Sequence, residues 1–133
     1  MMIGLDTGFF LELLSGSHQA AEIWRLCVDD RADFAVSFLT LFEIERLGLK
    51  GKIKNFNELI EIINLSTFVV WPDREIVSSG AWLSHGLGIP AIDSLILACL
   101  KKVGVNEIYT TDKHLASYSS ESVVVKNLKI DQH

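Results

Sequence analysis

Cysteine is scarce in this sequence of 133 residues, which contains only Cys27 and Cys99. Small secreted domains that depend on disulfide bonds carry many more cysteines, and a structural zinc site needs four ligands in a characteristic spacing. Both cysteines lie among apolar residues with helical spacing. We therefore expect them to be reduced core residues of a cytoplasmic protein, and neither a disulfide nor a metal-binding pair.

Long apolar runs are also missing. No run reaches the roughly 20 residues that a membrane-spanning helix requires, and no basic segment precedes a cleavable apolar one. We therefore expect neither membrane insertion nor export.

Positive charge is in deficit, since 12 Lys and Arg residues stand against 17 Asp and Glu residues, for a net charge of −5. Non-specific binding to nucleic acid depends on Lys and Arg, so this balance excludes a general polyanion-binding surface. A nucleic-acid partner would need another source of attraction for phosphate. Apolar residues, in contrast, make up 49% of the chain, enough for a well-filled core.

Short apolar segments alternate with segments of helical periodicity along the whole chain. Strands are predicted at residues 2–5, 33–36, 67–71, 107–111 and 123–125. Helices are predicted at residues 19–30, 37–48, 57–65, 75–87 and 90–103, with a short turn or helix at 113–118. This alternation predicts an α/β fold with three layers, α/β/α, around a central, mostly parallel sheet.

The segment 86–103 is the most apolar of the predicted helices, and Pro90 suits its first turn. Its apolar residues cover almost the whole circumference, which predicts a buried helix. Asp93 interrupts this apolar surface. Two interpretations remain open at this point: a first-turn acid favoured by the helix dipole, or a ligand or catalytic acid that faces a cleft.

Three other acids occupy comparable positions. Asp6 and Asp112 each follow a predicted strand, at the edge where open α/β sheets place their ligands. Glu43 has Leu39 and Leu47 at i−4 and i+4, so it lies on an apolar-flanked helix face. We expect these three carboxylates and Asp93 to converge on one crevice.

Four carboxylates that share a crevice repel one another, by about 4 kcal/mol per pair at 4 Å and an effective dielectric of 20. Either some of them are protonated or a cation joins them. Only oxygen ligands are present, which favours Mg²⁺ or Mn²⁺. Such ions also attract phosphate and activate water, so the pattern indicates phosphodiester hydrolysis.

The same residues resemble the PIN domain family. The resemblance covers essentially residues 1–133, as a single PIN-like domain. It rests on four segments in this order: Ile3-Gly-Leu-Asp6, Ser37 to Glu43, Gly88-Ile-Pro-Ala-Ile-Asp93 to Ala98, and Ile108-Tyr-Thr-Thr-Asp112. A PIN domain of this size is similar to the VapC-type toxins of prokaryotic toxin–antitoxin pairs.

This resemblance implies an endoribonuclease that depends on Mg²⁺ or Mn²⁺, forms a homodimer and is inhibited by a small antitoxin protein. It also implies that the catalytic and metal-binding acids are Asp6, Glu43, Asp93 and Asp112, with Thr7 and Thr110 as supporting residues. The alternative is a catalytically weak PIN-like module that binds RNA or a protein.

The sequence departs from the family pattern at two places. Gly8 stands where members often have Ser or Asn, and Lys113 and His114 stand where many have a further acid. The second departure weakens the expectation of a second metal ion. We expect His114 to be solvated, and the basic turn at residues 50–54 is explained equally well as a guide for RNA or as a solvated turn.

Overall fold

In the computed structural model, which describes residues 1–118 and 123–128, five strands form one sheet. They are β1 (Met2–Leu5), β2 (Asp33–Ser37), β3 (Phe68–Val70), β4 (Glu107–Thr110) and β5 (Val124–Asn127). Their order across the sheet is β3-β2-β1-β4-β5, and every neighbouring pair is parallel. The predicted mostly parallel sheet is confirmed, with β1 at its centre.

Seven helices connect these strands within the same described residues. They are α1 (Thr7–Leu14), α2 (His18–Val28), α3 (Phe38–Leu49), α4 (Phe56–Ser66), α5 (Arg74–Leu87), α6 (Ala91–Lys102) and α7 (Lys113–Ala116). Five of them begin at a polar side chain that accepts a backbone N–H bond: Asp6, Ser17, Ser37, Asp73 and Asp112. Such caps satisfy N–H groups that the first turn of a helix leaves without a partner.

The sheet separates two apolar cores, because successive side chains of a strand point to opposite faces. On β1, Ile3 and Leu5 belong to the core shared with α1, α2, α3 and α4, while Met2 packs against the core shared with α5 and α6. Helices therefore cover both faces, and the predicted three-layer α/β/α fold is confirmed.

The helix predicted in segment 86–103 is buried only along its second half. Residues 96–100 are at most 2% exposed, whereas Ile92 is 45% exposed. Pro90 is the N-cap of α6 and lies outside its first turn. The prediction of burial nearly all round is wrong for this first turn, because α6 precedes β4 and so starts at the open edge where the strands end.

The other predicted helices and strands begin and end within two residues of their predicted bounds. None of the helices in the described segments is both long and apolar enough to cross a membrane.

Both cysteines are free and buried, as expected from the sequence. Cys27 belongs to the core on the α1–α4 side and Cys99 to the core on the α5–α6 side. Because the sheet lies between the two thiols, they cannot reach each other to form a disulfide without unfolding.

Truncation of Cys99 should therefore cost stability and leave the fold intact. We expect Cys99→Ala to lower the free energy of unfolding by about 1–3 kcal/mol, since the side chain is fully buried and its removal leaves a cavity. Urea titration measures the change, and Ile92→Ala, on the half-exposed part of the same helix, is the control with the smaller expected loss. An intramolecular Cys27–Cys99 disulfide detected by mass spectrometry after mild oxidation would contradict this arrangement.

Candidate active site

The adjacent strands β1 and β4 end at the point where the chain crosses from one half of the sheet to the other. Leu5 pairs with Tyr109, so the residues that follow them, Asp6 and Thr110, emerge side by side. Open α/β sheets bind ligands at such a switch point. A cavity of about 260 Å³ opens there, and we call it the acidic cleft; it is lined by Asp6, Thr7, Gly8, Leu11, Glu43, Leu47, Asp93, Ile96, Thr111 and Asp112.

The structure thus brings all four predicted acids to one cleft from four different elements. Asp6 starts α1, Glu43 lies within α3, Asp93 lies in the first turn of α6, and Asp112 starts α7. Among residues 1–118 and 123–128, no Lys or Arg lines the cleft. Within this part of the chain, the cleft therefore concentrates negative charge without a lysine or arginine to balance it.

Asp6 is the most deeply held of these acids, at 4% exposed. Its Oδ1 accepts the backbone N–H of Phe9 at 3.0 Å, and its Oδ2 accepts the Thr110 hydroxyl. Burial raises the pKa of Asp6 to about 7, and the charges of Asp112 and Glu43 act in the same direction. The two hydrogen bonds oppose this rise but do not cancel it.

Thr110 links the ends of β1 and β4. Its fully buried hydroxyl donates to Asp6 and accepts the backbone N–H of Asp112 at 2.8 Å. The Oδ1 atom of Asp112 in turn accepts the backbone N–H groups of His114 and Leu115 at 2.7 and 3.2 Å. A single threonine therefore sets the relative position of two carboxylates.

Thr7 plays a similar part for Glu43. Its hydroxyl donates to Oε1 of Glu43 at 2.5 Å and lies 3.3 Å from the Thr40 hydroxyl. This contact holds the longer side chain of α3 against the start of α1. Glu45, two residues further on, is exposed and does not line the cleft.

Asp93 is partly exposed at the mouth of the cleft. Burial raises the pKa of Asp93, the nearby charges of Asp112 and Glu43 raise it further, and His114 lowers it. The two interpretations of Asp93 are compatible in the structure, since it lies in the first turn of α6 and also lines the cleft. His114 itself is exposed, as expected.

The spacing of the carboxylates limits how they could hold a metal ion. Across residues 1–118 and 123–128, no three His, Cys, Asp or Glu side chains are arranged closely enough to coordinate one ion together. The donor chemistry nevertheless suits a hard cation, because Mg²⁺ keeps several water ligands and is commonly held by one or two carboxylates. The cleft fits a largely hydrated ion better than one enclosed by protein ligands.

The PIN domain family matches residues 3–121 of the chain. The protein belongs to the PIN domain family. No curated protein matches the chain by sequence.

Solved structures with a similar fold include several toxin proteins. VapBC2 from Rickettsia felis, bound to a DNA fragment from its promoter, has a TM-score of 0.74 at 16% identity and covers 96% of this chain and 98% of its own. VapC20 from Mycobacterium tuberculosis, a sarcin-ricin loop cleaving toxin, has a TM-score of 0.65 at 20% identity and covers 90% and 97%. A toxin–antitoxin complex from Klebsiella pneumoniae has a TM-score of 0.66 at 16% identity and covers 92% and 95%.

Sequence reasoning did not identify Thr111 as a residue of the PIN domain's cleft. A Cβ atom placed on Gly8 would lie 1.9 Å from the Thr111 Oγ1 atom, so the Thr111 hydroxyl occupies the space that a side chain at position 8 would need. Gly8 therefore stands in place of Ser or Asn, and the hydroxyl beside it comes from Thr111, the residue that follows β4. The only signal in the sequence was the place of Thr111 between Thr110 and Asp112.

The basic turn at residues 50–54 of the PIN domain lies after α3 and does not line the cleft. Since α3 follows β2 and runs back across the sheet, this turn lies roughly 10 Å further along the helix axis than Glu43. Its three lysines are exposed.

The raised pKa of Asp6 predicts how the stability of the fold depends on pH. Its pKa is about 7 in the folded protein against 3.8 ordinarily, so the folded state binds the proton more tightly than the unfolded state. The resulting stability is fully present below about pH 4 and is lost as the pH rises through 7. In EDTA, Asp6→Asn should therefore gain about 2.5 kcal/mol relative to wild type between pH 5 and pH 8, since one pKa unit corresponds to about 1.4 kcal/mol.

Urea titrations of both proteins at several pH values measure this difference. Asn is a suitable replacement because its side-chain oxygen can still accept the Phe9 N–H bond. Glu45→Gln, at an exposed site outside the cleft, is the matched control and should show a constant difference. An Asp6→Asn difference that stays constant with pH would show that the carboxylate is not held as the structure describes.

Proposed function

We propose that this PIN domain is an endoribonuclease that depends on Mg²⁺ or Mn²⁺ and hydrolyses phosphodiester bonds of RNA at the acidic cleft. The observation that carries the proposal is the convergence of Asp6, Glu43, Asp93 and Asp112 on one cleft that no lysine or arginine of the described residues lines. Proteins seldom maintain such repulsion without a functional reason, and a divalent cation is the partner that oxygen ligands of this kind prefer.

Asp6, Glu43, Asp93 and Asp112 would hold the ion together, one or two of them directly and the others through its water ligands, since no three of the described side chains are close enough to bind one ion directly. When bound, the ion would attract the phosphate and activate water for attack. Asp6 is oriented by Thr110 and by the start of α1, so its carboxylate is already positioned before a ligand arrives. Asp93 and Glu43 are only partly buried and both line the cleft. Thr7 and Thr110 have a positioning role.

A bound ion would also explain how a protein with a net negative charge could attract the phosphate groups of RNA. A protein with a net charge of −5 has no general affinity for polyanions. A divalent cation in the cleft would reverse the local sign and confine the attraction for phosphate to the site of hydrolysis.

We further propose that residues 1–133 form a single cytoplasmic PIN-like domain that acts as the toxin of a toxin–antitoxin pair, as a homodimer and with a small antitoxin as partner. The support is the resemblance in fold to VapBC2, to VapC20 and to the Klebsiella pneumoniae toxin–antitoxin complex.

A second candidate is a catalytically weak PIN-like module that binds RNA or a protein. It is favoured by one observation, that in the described part of the chain no three potential ligand side chains are gathered around one point. The two candidates differ in whether the cleft turns over substrate, so one experiment separates them.

The purified protein should cleave single-stranded or looped RNA with Mg²⁺ or Mn²⁺ and should be inactive in excess EDTA. Asp6→Asn, Glu43→Gln, Asp93→Asn and Asp112→Asn should each lower the cleavage rate about 100-fold or more, because each removes a charge that binds the ion or moves a proton. The readout is the initial rate on a fluorescent oligoribonucleotide.

Glu45→Gln is the matched control for Glu43→Gln. It removes a carboxylate two residues away on the same helix but outside the cleft, and it should retain wild-type activity. Undiminished cleavage in EDTA would overturn metal dependence. Metal-dependent binding of RNA without cleavage would favour the second candidate.

A further inference from the structure

Beside the acidic cleft lies an exposed aromatic surface that the proposed chemistry does not use. Trp71 and Phe38 stack with their ring centroids 6.0 Å apart and an interplanar angle of 27°. Trp71 is 63% exposed, and Phe42, one helical turn after Phe38 on α3, is 57% exposed, while Phe38 itself is half-buried against the core on the α5–α6 side. We call these three residues the aromatic strip. Soluble proteins do not gain stability from leaving large aromatic side chains in water, so such a strip indicates a binding surface.

The sheet places this strip on the same edge as the cleft. Val70, the last residue of β3, pairs with Ser37, the last residue of β2, so Trp71 and Phe38 both follow directly after strand ends. β2 in turn pairs with β1, and Asp6 is the residue that follows β1. Because neighbouring strands are about 4.8 Å apart, Trp71 follows a strand only roughly 10 Å from the one that precedes Asp6.

Helix α3 connects the strip to the cleft directly. Phe38, Phe42 and Arg46 are spaced by four residues and therefore share one face of the helix. Glu43 is the immediate neighbour of Phe42 and is turned about 100° from it, towards the cleft. A chain that passes over the strip can therefore continue into the acidic cleft.

Two cations accompany the aromatic side chains. Arg46 lies on the shared face of α3, and Arg74, three residues after Trp71, begins α5. Both are exposed, and neither forms an ion pair with another of the described residues. Exposed aromatic rings flanked by arginines are the combination that binds single-stranded nucleic acid, where rings stack on bases and cations contact phosphates.

We propose that the aromatic strip stacks unpaired bases of the RNA substrate and so directs a single-stranded segment into the acidic cleft. This proposal rests on the proposed function for the identity of the nucleic acid. Stacking on Trp71 and Phe42 discriminates little between bases, since every base presents a π-face. The strip would therefore select for unpaired RNA, with little dependence on sequence.

Binding can be measured separately from cleavage. In the Asp93→Asn background, whose cleavage should be about 100-fold slower or more, fluorescence anisotropy in Mg²⁺ and at low ionic strength reports the affinity for a labelled single-stranded oligoribonucleotide. Trp71→Ala and Phe42→Ala should each weaken binding about tenfold or more, and Trp71→Phe should retain most of the affinity because it keeps a stacking ring. A fully paired RNA duplex should bind weakly to all of these proteins.

Trp82→Ala is the matched control, since Trp82 is 68% exposed but lies on α5, outside the strip. It should bind the oligoribonucleotide as the parent does. Equal affinities for Trp71→Ala and Trp82→Ala would overturn the proposal, as would the absence of binding by the parent protein.

Size-exclusion chromatography of the same variants tests the competing occupant. If Trp71→Ala changes the oligomeric state while RNA affinity stays the same, the strip is a protein interface and the proposal is wrong. Stacking-dependent binding combined with no cleavage by the wild-type protein in Mg²⁺ or Mn²⁺ would leave the strip supported and overturn the nuclease. Cleavage without stacking-dependent binding would support the nuclease and overturn the proposal for the strip.

Discussion

The buried carboxylate of Asp6 is the constraint on which the rest of the site depends. It accepts the backbone N–H of Phe9, and so caps α1, and it accepts the hydroxyl of Thr110. It is almost fully buried, and these contacts join β1, α1 and β4 at the centre of the sheet. Each of these contacts favours the charged form of the carboxylate, while burial opposes it. The centre of the molecule therefore combines tight structural connection with an electrostatic cost, which is common at functional sites.

The other acids add to this cost from different directions. Glu43 arrives on α3, Asp93 on α6 and Asp112 at the start of α7, and the charges of Asp112 and Glu43 raise the pKa of both Asp6 and Asp93. Hydroxyl groups, supplied by Thr7 and Thr110, are the side chains that donate to Asp6 and Glu43. Neutral donors orient the carboxylates without neutralising their charge.

A parallel sheet gathers all of these groups at one edge. Every strand ends at the same side, and the residues that follow β1, β2, β3 and β4 are Asp6, Phe38, Trp71 and Thr111. The order β3-β2-β1-β4 then sorts them, with the stacked aromatic pair on one side of Asp6 and the threonine that leads to Asp112 on the other. The aromatic strip and the acidic cleft can therefore adjoin because both occupy the carboxyl edge of one sheet.

The sequence alone determined the class of fold and the edge at which the acids gather. Alternating apolar strands and periodic helices require a parallel sheet covered on both faces, and Asp6 and Asp112 follow predicted strands, so both had to lie at one edge. Tertiary structure decided the rest: the bridge from Thr110 to Asp6, the packing of Thr111 against Gly8, and the stacking of Trp71 on Phe38. These contacts join residues from different strands and helices, and their distances depend on strand order and register, which local periodicity does not encode.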